Sequence, residues 1–134
     1  MKMKVVLSIK PEFAFKIFDG TKKFEFRKAI FKNPEVKKII VYASSPVQQV
    51  IGEFEIEEIL NFEKNKLWEL TSEDSGISKH FFFKYFEEKV NGYAIKIKNI
   101  KKYKEPRSLK NDYNLLPPQS FAYYLPASTV HSIW

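Results

Sequence analysis

The sequence predicts a single α+β domain in which strands dominate and close into a β-barrel, with helices filling two of the connections. Three observations carry this expectation. Several stretches alternate apolar and polar residues with a period of two, the repeat of a strand. The segments from Pro11 to Gly20 and from Lys64 to Glu88 carry helical spacing and punctuation instead. The 134 residues contain neither an internal repeat nor an interdomain linker, so one domain spanning 1–134 suits them better than two.

Taken in order, Val5, Leu7 and Ile9 alternate with Val6, Ser8 and Lys10 as a first strand. Pro11 opens a helix at its preferred first position and Gly20 closes it, with Ala14, Ile17 and Phe18 on one face and Phe13 at its margin. Lys23, Glu25 and Arg27 alternate with Phe24 and Phe26, giving a second strand with one charged and one aromatic face. Val36 to Ala43 is a β-branched third strand and Pro46 marks the turn after it. Gln49 to Ile59 reads as a fourth, in which Gly52 suggests a bulge or a close approach.

Leu67, Trp68 and Leu70 suggest a short helix. Ser78 caps a second, with Ile77 placed to staple against Phe82, and Phe81, Phe82, Tyr85 and Phe86 form its apolar face. Asn91-Gly92 is a turn signal, and Tyr93, Ile95 and Ile97 then mark a further strand. From about residue 106 the text reads as an irregular tail, in which 121–125 fits either a final strand or a helical turn.

Composition narrows the function classes. Hydrophobic residues make up 44%, including 13 Phe, enough for a core, and the absence of cysteine excludes disulfides and thiolate metal sites. The basic, then apolar start resembles a leader, but Ser8, Lys10 and Pro11 interrupt it well short of a secretory segment. No run is long enough to span a bilayer, so a cytoplasmic protein is expected. The net charge of +7 favours an anionic partner, nucleic acid first, although abundant Lys and Glu also fit surface ion pairing. The single, scattered glycines form no phosphate loop, and neither His80 nor His131 sits in metal-ligand spacing, so no metal or cofactor is expected. Lys98, Lys101, Lys102 and Lys104 read either as a solvated edge or as a phosphate track.

Chemistry concentrates in Ser8-Ile9-Lys10-Pro11, a helix, and then Gly20-Thr21-Lys22-Lys23-Phe24-Glu25-Phe26-Arg27. Charged groups of mixed sign share one face here, and the bland alternative is a solvated strand face with weak ion pairs. The pattern resembles the ASCH family of the PUA-like superfamily, with Lys10-Pro11, Gly20, Lys22, Glu25 and Arg27 as its opening motif. The likeness continues through Val41-Tyr42-Ala43-Ser44-Ser45-Pro46, Ile51-Gly52-Glu53-Phe54, Tyr93 to Ile97 and Pro118-Gln119-Ser120-Phe121.

The resemblance implies a PUA-like (ASCH) barrel with a cleft beside it and association with RNA or a modified nucleoside, DNA being an alternative. Candidate binding residues are Lys10, Lys22, Glu25, Arg27, Tyr42, Ser44, Ser45, Gln119, Ser120 and Phe121. Lys22 and Arg27 can donate to phosphate or base acceptors, Glu25 can accept from an exocyclic amine, and Tyr42 or Phe121 can offer a stacking face. One branch of the family resembles amidohydrolases acting on N4-acylated cytidines with Lys, Thr and Glu. Lys22 matches its lysine, but Lys23 and Glu25 stand at the two Thr positions and Ser75 at the Glu position, with Glu73 and Asp74 adjacent. A binding module is therefore expected ahead of a hydrolase, whether amidohydrolase or ribonuclease, with Lys22, Glu25, Glu73 and Asp74 as catalytic candidates.

Overall fold

In the first strand, β1 (Lys4–Ile9), the residues Val5, Val6 and Leu7 are all buried, although they alternate between faces. The cause is its position inside the sheet, parallel to β3 (Lys38–Ala43) and antiparallel to β6 (Phe121–Tyr124). A strand covered on both faces reads as a continuous apolar run. The computed structural model describes residues 2–126; His131 lies outside them.

The remaining strands are β2 (Phe24–Arg27), β4 (Gln49–Glu63) and β5 (Asn91–Arg107). All six form one sheet in the order β2-β5-β4-β3-β1-β6. The expected closed barrel is not what the ladders describe: β2 and β6 stand at opposite ends of the sheet, and no ladder joins them among the described residues. A side chain bridges the gap instead. Arg27, at the end of β2, donates through Nη1 to the Ser8 carbonyl in β1, and through Nη2 to the carbonyl and hydroxyl of Ser120, just before β6.

Helix α1 (Pro11–Phe18) fills the first connection, with Ala14 and Ile17 buried against Val5, Leu7, Ile39 and Phe54. Helices α2 (Lys64–Thr71) and α3 (Lys79–Tyr85) fill the second, joined through a 3-10 turn at Ser72–Asp74. Leu67, Phe82 and Phe86 from this region pack on Phe24, Phe26 and Ala94 in an aromatic second core. Ser78 caps α3 as its sequence predicts, accepting from the Phe81 N–H.

Two expectations need correction. The tail from about 106 is not irregular throughout. β5 runs to Arg107, and α4 (Leu109–Tyr113) follows, capped by Ser108 and covering Val6, Ile40 and Val50 on the opposite face of the sheet. Asn91-Gly92 is not a turn but the start of β5, paired with Glu63 and Phe62. Its glycine answers to packing, because a Cβ there would lie 2.5 Å from the Phe86 ring. Gly52 behaves as expected: a Cβ would meet the Lys101 carbonyl and the Phe18 ring at 2.6 Å, and the ladder shifts register beside it. No helix among the described residues is long and apolar enough to cross a membrane.

Candidate functional site

A cavity of about 640 Å³ opens where α1, β2 and α3 face the end of β1 and the chain before β6. Lys22 lies at its base. The residue follows the turn that closes α1 and is only 2% exposed, with its ammonium donating to the Ser75 carbonyl at 2.9 Å. The rings of Phe13 and Phe26 flank it, at 5.3 and 4.9 Å from the nitrogen. Burial pushes the amine down to about 8, Glu25 opposes the shift, and Lys16 reinforces it.

Gly76 makes that burial possible. It adopts φ +69°, and a Cβ would lie 2.5 Å from the Lys22 Cβ, so only glycine lets the segment after the 3-10 turn pass over the lysine. The Gly76 carbonyl also accepts from Lys16 Nζ at 3.1 Å, holding the segment to α1.

Glu25 and Arg27 stand on the face of β2 that meets the cavity. The Glu25 Oε2 accepts from Arg27 Nη1 at 3.1 Å, and the side chains are 8% and 12% exposed. With Ser8 and Ser120 as its other acceptors, Arg27 has both terminal nitrogens engaged by the protein. It is therefore a fastener of the site rather than the free bidentate clamp that its sequence position suggests.

Other predicted residues meet at the same cavity. Lys10 stands at its exposed edge, with its ammonium 5.7 Å from the Phe81 ring centre. Tyr42 from β3, Ser44 and Ser45 from the following turn, and Gln119 and Ser120 line it too. Phe121 does not. Its ring packs edge-on to Phe31 at 5.9 Å and against the main core, away from the cavity. Glu73 and Asp74 are exposed on the 3-10 turn and do not line the cavity, which leaves the amidohydrolase pattern without its carboxylate. Ser75 contributes its main-chain carbonyl instead. His80 is exposed on α3, and the run from Lys98 to Lys104 lies away from the cavity.

Sequence reasoning missed the aromatic wall. Phe13, Phe81 and Tyr85 line the cavity, with Lys28 4.7 Å above the Tyr85 ring. The Tyr85 hydroxyl is pushed up by burial, against the nearby Arg27. The signal was present: Phe81, Phe82, Tyr85 and Phe86 form two i, i+4 pairs, one more than a single buried stripe requires. Phe82 and Phe86 take the core; Phe81 and Tyr85 face the space. Among the described residues no group of three His, Asp or Glu side chains is placed to hold a metal ion.

An ASCH domain-containing ribonuclease of Zymomonas mobilis is 32% identical over 130 residues, covering 91% of this chain and 84% of the relative. ATP synthase subunit alpha and large ribosomal subunit protein uL22 of Ureaplasma parvum are 32% and 30% identical over 123 and 120 residues. These matches take in 91% and 89% of this chain but span only 15% and 38% of those relatives. A crystal structure of a single-substitution variant of the Zymomonas ASCH protein superposes with a TM-score of 0.83 at 29% identity, covering 97% of this chain and 95% of that one. With residues 7–123 matching the family's own description, the ASCH domain, this chain belongs to the ASCH domain family.

Proposed function

We propose that this chain binds single-stranded RNA at the Lys22 cavity and cleaves it there. One observation carries the reading: a lysine amine pushed down to about 8 lies at the base of a cavity with cationic edges. Near neutral pH a usable fraction of that amine is uncharged, and a neutral amine is a base. The Ser75 carbonyl holds one N–H and fixes its direction, leaving the lone pair for a proton in the cavity. A ribose 2′-hydroxyl is the matching acid. Lys22 takes its proton, the 2′-oxygen attacks the adjoining phosphorus, and the bond to the 5′-oxygen breaks. The products are a 2′,3′-cyclic phosphate and a 5′-hydroxyl, with the departing oxygen taking its proton from water at the exposed edge.

Lys10 and Lys28 stand at that edge, where a phosphate stays hydrated, and the aromatic wall behind them suits unstacked bases. The similarity to a ribonuclease over 84% of that relative's length moves the balance from binding alone towards cleavage. Amidohydrolysis is the weaker reading, because Glu25 replaces the hydroxyl and is held by Arg27, while Glu73 and Asp74 lie outside the cavity.

The test is cleavage of a single-stranded RNA and of the same strand with 2′-deoxy sugars. Wild type should cleave only the first, with a rate rising towards a plateau above pH 8. Lys22→Met should lose about 100-fold or more, the usual contribution of a positioned acid or base. RNA bound by wild type but left intact would make the chain a binding module. Equal cleavage of the deoxy strand would remove the 2′-hydroxyl mechanism.

A further inference from the structure

Glu25 carries one oxygen that the described residues leave unused. Its Oε2 accepts from Arg27, whereas no hydrogen bond is formed to Oε1 among the described residues. No described side-chain nitrogen or oxygen is both sealed from solvent and unpartnered, so Oε1 must reach open space, and the space beside Glu25 is the cavity. A carboxylate that is 8% exposed, with one oxygen unpaired, forgoes a charge-assisted hydrogen bond that an entering donor can supply.

The surroundings define the donor. Phe13, Phe81 and Tyr85 bound the same space, so the group that enters is flat and apolar on its faces. A phosphate is disfavoured beside the carboxylate, since the arginine that would attract it is already bonded to Ser8 and Ser120. Phosphates are better met by Lys10 and Lys28 at the edge, leaving the interior to a base.

We propose that Glu25 reads the polar edge of an unpaired nucleobase and makes the cavity selective for the amines at cytosine N4 and adenine N6 over the carbonyls that uracil and hypoxanthine carry at the same positions. Cytosine N4 and adenine N6 donate to Oε1; uracil and hypoxanthine place a carbonyl oxygen there and meet a second acceptor. This rests on the RNA reading above and adds to it the class of base. Arg27 gives the inference a sign. A guanidinium has only donors, so in Glu25→Gln the amide must turn its oxygen towards Arg27 and its NH2 towards the cavity. The acceptor becomes a donor, and the preference should change from amine to carbonyl.

The experiment is calorimetric titration of wild type and Glu25→Gln with CMP, UMP, AMP and inosine monophosphate, together with mapping of wild-type cleavage sites on an RNA of mixed sequence. Wild type should bind CMP over UMP, and AMP over inosine monophosphate, by about tenfold, within the range of one good base-edge contact. The order should reverse in Glu25→Gln, and wild-type cleavage should fall beside cytosine or adenine. The stronger of CMP and AMP identifies the ring that fits. Indifferent wild-type binding and cleavage overturn the inference without any variant, as does an unchanged order in a folded Glu25→Gln protein. Both results leave the RNA reading standing. Failure of wild type to bind any of the four, with no RNA bound or cleaved, overturns that reading as well.

Discussion

Two arginine-centred clusters lie in different parts of this sheet, and the Lys22 cavity opens beside the first of them. In the first, Arg27 joins Glu25, Ser8 and Ser120. In the second, Arg107 donates to the Tyr113 hydroxyl and lies 3.7 Å over the Tyr103 ring, while the Tyr103 hydroxyl donates to Glu53 at 2.7 Å. Lys4 and Lys38 then reach the two oxygens of Glu53, each at 3.8 Å. Burial pushes the Glu53 carboxyl up, yet the Tyr103 hydroxyl and these lysines hold it below its ordinary range. Burial also raises the Tyr103 phenol, and its bonds to Tyr113 and Glu53 add to the shift. Every carboxylate oxygen in that cluster has a partner. In the Arg27 cluster one oxygen has none among the described residues, and a buried amine stands at the base of the same cavity. A polar network complete in itself holds elements together; one left incomplete around a cavity is available to a ligand.

That contrast can be broken by substitution. The largest effect is expected from Arg27→Ala, which strands the buried Glu25 carboxylate and removes the bridge between β2 and the β1–β6 end. Breaking a buried pair from one side costs about 3 to 5 kcal/mol, measurable by urea unfolding. Arg27→Lys keeps the charge, loses the fork and should recover only part of it. A loss below 1 kcal/mol for Arg27→Ala would mean that the two sheet ends are held by something else.

Next in size is a pH effect. The Lys22 amine in the folded chain loses its proton near 8, against 10.5 for an ordinary lysine. Below pH 8 both folded and unfolded chains carry the proton, and the folded chain bears the cost of burying it. Between pH 8 and 10.5 the unfolded chain still binds a proton that the folded one has released, so stability rises with pH. The rise is on the order of 3 kcal/mol at 1.4 kcal/mol per unit. The difference between wild type and Lys22→Met, followed by denaturant midpoint across this window, should show it; parallel curves would mean that the amine is not desolvated.

Tyr103→Phe probes the complete cluster and should have the smallest effect. It removes the hydroxyl bond to Glu53 while Lys4 and Lys38 remain, for a loss of about 1 kcal/mol. RNA cleavage by the folded variant should be unchanged. A loss of cleavage would join the two clusters functionally and remove the distinction drawn here.

Side-chain alternation made part of the cavity legible beforehand. Glu25 and Arg27 share a face because strand geometry requires it, and the positions of Lys10 and Lys22 follow from a proline and a glycine that fix the ends of α1. What the text could not show was the main chain. The Ser75 carbonyl under Lys22, and the Ser8 and Ser120 carbonyls on Arg27, come from residues whose side chains gave no notice of it. Nor does local spacing say which of Phe81 and Phe82 meets a neighbour and which meets a cavity. That depends on where β2 and α1 stand. The α+β class was legible too, but closure of the sheet was not, for a related reason: six strands can curl without their end strands forming a ladder, and ladder formation leaves no local mark.

The Arg27 bridge also has a consequence for the order in which the chain is made. Its partners lie 19 and 93 positions away, and the Ser8 hydroxyl reaches 110 positions to the Pro118 carbonyl. Contacts of such separation form late, and synthesis delivers the N-terminal partner first. A nascent chain that stops short of residue 117 already carries the lysine, the carboxylate and the arginine, but not the wall made by 117–120 that completes the cavity. The cavity is thereby incomplete until nearly all of the described chain has been synthesised, and a chain ending before 117 is expected to lack the RNA cleavage proposed for it.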